Sequence, residues 1–267
     1  MSLKGKKLGF VGAGNMAQAL FIPLRDFFRR KQIDIFIFTP TKVRAKSLAA
    51  EICGSVVSEI TDLNDCDYIV LAHKPQQFQE VASQMELKAN CAIVSILASI
   101  DTKQISRAFK VENVLRLMPN TPARIGKGVI TCFSQTDEKE TFDEWISAFS
   151  EYSLVEIFER EEMIDLTTPE LGSGPGIVLE LIRIFSDSLK AKGIPKERAI
   201  SLSSQVFSGS GQIVSQSGES PESLRDKVTS QGGITMECLK CLKHSKIENI
   251  FQESFKAGHN KAKELKR

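Results

Sequence analysis

Lys7-Leu8-Gly9-Phe10-Val11-Gly12-Ala13-Gly14-Asn15-Met16-Ala17 is the stretch from which the fold is read. A strand-like run passes into Gly-x-Gly-x-x-Ala, and residues 16–30 then follow helical spacing. In that context Gly12 permits the tight turn, Gly14 lets the backbone approach a pyrophosphate, and Ala17 keeps the helix close to the sheet. The helix start offers unpaired N–H groups and partial positive charge to phosphates. Asn15 and Met16 belong to the same candidate dinucleotide loop. The plain alternative is a glycine-rich turn with no ligand; the strand before it and the amphipathic helix after it favour a nucleotide.

Outward from this loop, short apolar runs alternate with amphipathic segments. Strands are expected at 7–11, 33–39, 68–72, 92–96, 114–118, 129–133 and 155–158, rich in Ile, Val, Leu and Phe. Helix-like stretches lie at 16–30, 42–52, 75–84 and 138–150. Several strands are apolar without alternation, as strands covered on both faces should be. Repeated strand–helix–strand order predicts an α/β domain over 1–160, a doubly wound, mostly parallel, Rossmann-like sheet. Beyond 158 only helices are expected, at 161–190, 196–217, 221–227, 233–243 and 247–266. The second domain, 161–267, is therefore all-helical.

The end of the second strand carries the coenzyme choice. A site selective for NAD usually has Asp or Glu there for the ribose 2′-hydroxyl. Here Phe38-Thr39-Pro40-Thr41-Lys42-Val43-Arg44 has hydroxyls followed by two cations. Thr39, Lys42 and Arg44 suit a 2′-phosphate, which favours NADPH, with NADH possible. Otherwise Lys42 and Arg44 are exposed first-turn residues of a helix.

The 267 residues carry a net charge of +2, so no broad electrostatic footprint for nucleic acid or an anionic membrane is expected. No run is long and apolar enough to span a bilayer. The uncharged stretch 199–218 reads as a buried helix. The opening residues lack a secretory h-region, and six scattered cysteines suit reduced thiols, so a cytoplasmic location is expected. Cys238 and Cys241, with His244 alone beside them, do not complete a tetrahedral site, and no metal is expected.

Two segments break their local rules. Leu171-Gly172-Ser173-Gly174-Pro175-Gly176 puts three Gly and one Pro inside a helical stretch. In a helix interior they would cost roughly 6 kcal/mol, so either the helix is interrupted or close packing returns that energy. Val228-Thr229-Ser230-Gln231-Gly232-Gly233-Ile234-Thr235 precedes a helix and can aim backbone N–H groups at an anion.

At these residues the chain resembles the pyrroline-5-carboxylate reductases. Gly12-Ala13-Gly14-Asn15-Met16-Ala17 is similar to the family's opening loop. Leu71-Ala72-His73-Lys74-Pro75-Gln76-Gln77 is similar to its Lys-Pro segment, which lies over the coenzyme. Arg116-Leu117-Met118-Pro119-Asn120-Thr121-Pro122 matches its signature close to the nicotinamide. Gly172-Ser173-Gly174-Pro175 and Leu224-Arg225-Asp226-Lys227-Val228-Thr229-Ser230 complete an ordered set across nearly the whole chain.

The resemblance implies hydride transfer from NADPH to the C=N carbon of 1-pyrroline-5-carboxylate, giving L-proline. It adds Lys74, Pro75, Ala98 and Asn120 to the coenzyme contacts. It also makes Ser230, Gly232 and Gly233 the substrate-carboxylate site, and has Thr235 hydrogen-bond the imine nitrogen. A Thr hydroxyl is a poor acid near neutral pH, so its role is polarisation and orientation. Domain 161–267 becomes the substrate-binding and dimerisation domain of a homodimer or larger homo-oligomer, with the cleft built between two subunits.

The chain departs from the family at Gln231 and Ile234, where Pro and Thr are usual, at Leu171 for Ser, at Ile177 for Tyr, and at Ser99 for Gly. A β-hydroxyacid-type dehydrogenase would share the architecture but needs a Lys on a long helix. Only Lys190 and Lys192 lie near one, and neither follows an Asn at the expected spacing. A non-catalytic NADP-binding member is the third reading, resting on the altered 231–234 loop.

Overall fold

The computed structural model describes residues 2–136 and 140–265; positions 138–139 and 266 of the expected helices, and the chain ends 1 and 267, lie outside them. Among the described residues the sheet has eight strands: β1 Lys7–Val11, β2 Asp34–Phe38, β3 Ser55–Val56, β4 Tyr68–Leu71, β5 Ala92–Ser95, β6 Val114–Pro119, β7 Gly128–Gln135 and β8 Ser153–Ile157. Their order is β3-β2-β1-β4-β5-β6-β7-β8, and only the β6–β7 pair is antiparallel. A short 3₁₀ connection, Thr121–Ile125, closed by Gly126 at φ 69°, joins these two strands. So short a link can return the chain antiparallel but cannot make the crossover that a parallel partner needs.

The strands are apolar because both faces of the sheet are covered. Leu8, Phe10, Tyr68 and Val70 face one cluster, and Val11, Ile69, Leu71 and Ile93 face the other. Helices α1 Asn15–Phe21, α2 Arg25–Lys31 and α6 Asp143–Ser150 bring Phe21, Phe28, Trp145 and Phe149 to the first cluster. There Phe10 and Phe21 meet edge-on at 4.9 Å, and Trp145 stacks on Phe149 at 5.8 Å. Helices α4 Phe78–Ser83 and α5 Thr102–Phe109 supply Phe78, Val81, Ile105 and Phe109 to the second. Helix α3 Lys42–Ile52 packs Leu48 and Ile52 into the first cluster.

The expected helix 16–30 is broken. Pro23 sits in a 3₁₀ turn, Ile22–Leu24, between α1 and α2, since proline cannot donate to the preceding turn. The expected helix 161–190 is also interrupted. It begins as α7 Glu162–Thr167, widens into one π-turn at Thr168–Gly172, and restarts as α8 Gly174–Lys190. Gly172, Gly174 and Pro175 thus stand at a helix boundary, where Pro is tolerated in the first turn.

Two compact units result: residues up to Ser173 together with His259 onward, and Gly174–Gly258. The helical unit holds α8, α9 Lys196–Ser217, α10 Pro221–Lys227, α11 Ile234–His244 and most of α12 Ile247–Leu265. Helix α9 takes up the stretch 199–218 that reads as buried, and within one chain only part of it is covered. Ala199 and Ser203 are enclosed, and Phe207 meets Phe185 of α8 edge-on at 5.0 Å. Ile200, Leu202, Val206 and Ile213 stay exposed, as do Leu179, Ile184 and Phe185 on α8. One apolar face of each helix has no cover among the described residues. Among these residues, too, no helix is long and apolar enough to cross a membrane.

Candidate functional site

Strands β1, β2, β4, β5 and β6 run parallel, and every residue expected to touch the coenzyme follows the carboxyl end of one of them. Ligands of open α/β sheets lie along this edge, at the point where strand order reverses, here between β1 and β4. Gly12 sits at that point with φ 106°, its N–H donating to the Phe38 carbonyl at 3.0 Å. A Cβ on Gly12 would collide with the Ala72 carbonyl and stand 2.6 Å from the His73 nitrogen, so β1 and β4 could not close together. A Cβ on Gly14 would meet nothing within 4 Å. Gly14 caps α1 with no side chain over the helix start, leaving the first N–H groups of Asn15 and Met16 for an anion. Ala17 is buried against the sheet. The loop therefore fits a pyrophosphate.

Thr39 is buried at the end of β2, and its hydroxyl donates to the Thr41 carbonyl at 2.7 Å, shaping the turn into α3. Lys42 and Arg44 are exposed in the first turn of α3, which holds no acid. Cations at a helix N-terminus oppose its dipole by about 0.3–1 kcal/mol each, an arrangement a bound phosphate would reverse.

Lys74 is exposed and Pro75 opens a 3₁₀ turn directly after β4. Beside them His73 places Nδ1 2.9 Å from the Lys74 carbonyl, so Nδ1 carries the donated proton and Nε2 is a buried lone pair with no partner among the described residues. Burial lowers the His73 pKa, although the Lys74 carbonyl favours the charged form. The unfolded chain, with an imidazole pKa near ~6.5, then binds more protons than the folded one. The stabilising contribution is present above that value and is lost as pH falls through the folded pKa. Urea midpoints followed from pH 8 to 5 should decline less steeply in His73→Gln; equal slopes would count against this account.

Ala98 is exposed in the turn between β5 and α5, followed by Ser99 at φ 64°. A non-glycine residue in this left-handed region costs on the order of 1 kcal/mol and persists where the surroundings hold it. Asn120, just after β6, is buried and its side chain is engaged at both ends. Oδ1 accepts from Val129 N at 2.9 Å, and Nδ2 donates to the Leu171 carbonyl at 3.0 Å. That carbonyl lies in the π-turn, where Ser173 N reaches back to Thr168 O at 3.0 Å and Pro169 has no N–H to give. The amide retains one further hydrogen and one lone pair for a ligand.

A group that sequence reasoning missed lies beneath these loops. Arg116, in the middle of β6, is 0% exposed. Its Nη1 donates to Glu161 at 3.0 Å, and its Nη2 to Asp165 at 2.7 Å. Burial opposes the charge, but the two carboxylates outweigh it and raise the guanidinium pKa. Glu161 also accepts from Thr102 N at 2.8 Å and from Thr102 Oγ1 at 2.7 Å. An Arg among apolar strand residues demands partners, and two acids four apart, Glu161 capping α7 and Asp165 within it, offer them. That signal was present in the sequence.

The candidate substrate residues belong to the helical unit. Thr229 to Gly233 form a tight turn, with Gly233 N donating to Ser230 O at 3.0 Å and Gly232 at φ 72°. Gly233 caps α11 with no side chain over its start, and a Cβ there would collide with the Ser230 hydroxyl. The hydroxyl and the free N–H groups of the first turn thus share one spot, as an anion site requires. Thr235 follows in that turn and is exposed; its neighbour Ile234 is 86% exposed. Gln231 is exposed at the tip. Cys238 and Cys241 are unpaired thiols on the surface of α11.

Residues 161–265 match a family model described as pyrroline-5-carboxylate reductase dimerisation, and residues 7–99 one described as NADP oxidoreductase, coenzyme F420-dependent. The chain is 32% identical to a pyrroline-5-carboxylate reductase of Staphylococcus haemolyticus, across 97% of each chain. It is 30% identical to one of Glycine max, across 97% of this chain and 95% of the relative. The fold is similar to that of a Plasmodium falciparum pyrroline carboxylate reductase with NADP bound, at TM-score 0.86, 24% identity, and 99% and 100% coverage. A reductase from Coxiella burnetii is as similar, at TM-score 0.86 and 23% identity over 98% of this chain and 99% of that one.

Proposed function

The chain belongs to the pyrroline-5-carboxylate reductase family, and on that premise we propose how its residues share the reaction. It is an NAD(P)H-dependent oxidoreductase that reduces the C=N bond of 1-pyrroline-5-carboxylate to L-proline, in proline biosynthesis. The observation that carries the coenzyme assignment is the common edge: Gly12, Gly14, Thr39, Lys74, Ala98 and Asn120 all follow carboxyl ends of parallel strands.

The bound coenzyme supplies the hydride. Gly12 to Ala17 hold its pyrophosphate at the start of α1, and Lys42 and Arg44 hold a 2′-phosphate at the start of α3. Residues 1–160 form the dinucleotide-binding domain, and 161–267 the substrate-binding and dimerisation domain. Ser230, Gly232 and Gly233 seat the substrate carboxylate at the start of α11. Thr235 then orients and polarises the imine nitrogen, while a protonated imine or water supplies the proton. The chain assembles with copies of itself. We assign a homodimer or larger assembly in which the bare faces of α8 and α9 cover one another. A cytoplasmic location is proposed with it. Burial pushes Cys66 to about 11 and Cys91 and Cys132 to about 12, which leaves these thiols protonated and unreactive.

The reading is tested by following NADPH oxidation with 1-pyrroline-5-carboxylate and identifying the product. Proline should form in step with NADPH loss. Thr235→Ala should lower kcat about 10- to 100-fold with NADPH affinity unchanged, because one transition-state hydrogen bond is removed. An unaltered rate would remove Thr235 from the chemistry. Lys42→Ala with Arg44→Ala should weaken NADPH binding about 10- to 100-fold and leave NADH binding nearly as it was. The same pair should stabilise the coenzyme-free protein by about 0.3–1 kcal/mol per cation removed, by relieving the helix N-terminus. Equal losses for both coenzymes would show that the two cations do not read the 2′-phosphate.

A further inference from the structure

We propose that Glu161 is a positioning residue for the coenzyme: it clamps the turn between β5 and α5 in a shape that Ser99 alone would leave. The inference rests on the reading that Ala98, in this turn, borders the bound coenzyme.

The turn is tied at both ends. On the β5 side Ile96 N donates to Leu71 O at 3.0 Å, and Leu97 N to Ser95 Oγ at 3.2 Å. On the α5 side Asp101 and Gln104 cap one another, with Gln104 N donating to Asp101 Oδ1 at 2.7 Å and Asp101 N to Gln104 Oε1 at 3.0 Å. Between these ties Ala98 is exposed and Ser99 holds φ 64°, a conformation that an L residue with a Cβ leaves unless it is restrained. The restraint comes from outside the turn. Glu161 takes both the N–H and the hydroxyl of Thr102, three residues after Ser99, and is itself fixed by the buried Arg116, which Asp165 holds from the other side. Three charge-assisted hydrogen bonds converge on one carboxylate, at 2.8, 2.7 and 3.0 Å. The carboxylate thus joins the start of α5, the strand leading to Asn120, and α7. A left-handed non-glycine residue beside Ala98, in a turn tied to a distant carboxylate, is what a preorganised backbone requires.

The test is a double-mutant cycle read in NADPH dissociation constants, on the full-length assembled protein. Glu161→Gln keeps the side-chain volume but gives up acceptors, and should weaken NADPH about tenfold. Ser99→Gly alone should change affinity less than about threefold, because glycine holds this φ without restraint. In the Ser99→Gly background the loss from Glu161→Gln should shrink to about threefold or less. A tenfold loss in both backgrounds, or none in either, would overturn the proposal. So would falling melting temperatures in both backgrounds without any coupling in affinity, since that is the behaviour of a purely structural tie. If Glu161→Gln does not fold, Thr102→Val, which removes only the hydroxyl's bond to Glu161, carries the same cycle with the same expectation. NADPH affinity does not depend on which imine is reduced. A parent protein that binds NADPH yet forms no proline would therefore overturn the function and leave this cycle standing.

Discussion

Gly12→Ala should abolish measurable NADPH binding and remove about 3 kcal/mol or more of stability. Two effects combine. The added Cβ meets the carbonyl of Ala72 and the nitrogen of His73, which are backbone atoms fixed by β4 and cannot rotate aside. The φ of 106° is also one that alanine does not hold without strain. Either the β1 and β4 exits part, widening the crevice, or Gly12 turns its N–H away from Phe38. Both outcomes displace the start of α1 from a pyrophosphate. Coenzyme titration and urea unfolding at one protein concentration check it. Gly14→Ala is the control, since its Cβ would meet open space: it should fold normally and lose only coenzyme affinity.

Arg116→Met should lower stability by about 3–5 kcal/mol, because Glu161 and Asp165 would lose the cation that balances them while remaining largely covered. The cost should come mainly from the stranded carboxylates. Replacing all three groups with apolar residues of similar volume should therefore recover much of the loss. If Arg116→Met is as stable as the parent in urea, the triad does not act as a unit. NADPH affinity should remain weakened in the apolar triad, since the clamp on Thr102 would still be missing.

The sheet was legible because its strands are apolar on both faces, and helices Lys42–Ile52, Lys196–Ser217 and Pro221–Lys227 stand where their caps and periodicity put them. Ser55–Val56 escaped because two residues carry no period. Helix α5 shows in sequence only through the capping signal of Asp101 and Gln104. The nucleotide and anion loops could be read because Gly and Pro act locally and in contiguous runs. The Arg116 triad could not be read as a run, since its partners stand 45 and 49 residues away and meet only when α7 returns to β6. An uncharged helix such as α9 reads as buried whichever chain covers it, because the pattern carries burial and not the identity of the partner.

With the proposed α8–α9 interface, that last feature would tie this protein's durability to its own abundance. Leu179, Ile184, Phe185, Ile200, Val206 and Ile213 are exposed on α8 and α9, and one chain leaves them in water. If copies cover these faces, as proposed above, assembly and folding become linked equilibria, and mass action sets the fraction of chains in the native form. On that arrangement a scarce chain is the fragile one: dilution alone, with no change in sequence, temperature or solvent, would move it toward the unfolded state that proteases and aggregation consume.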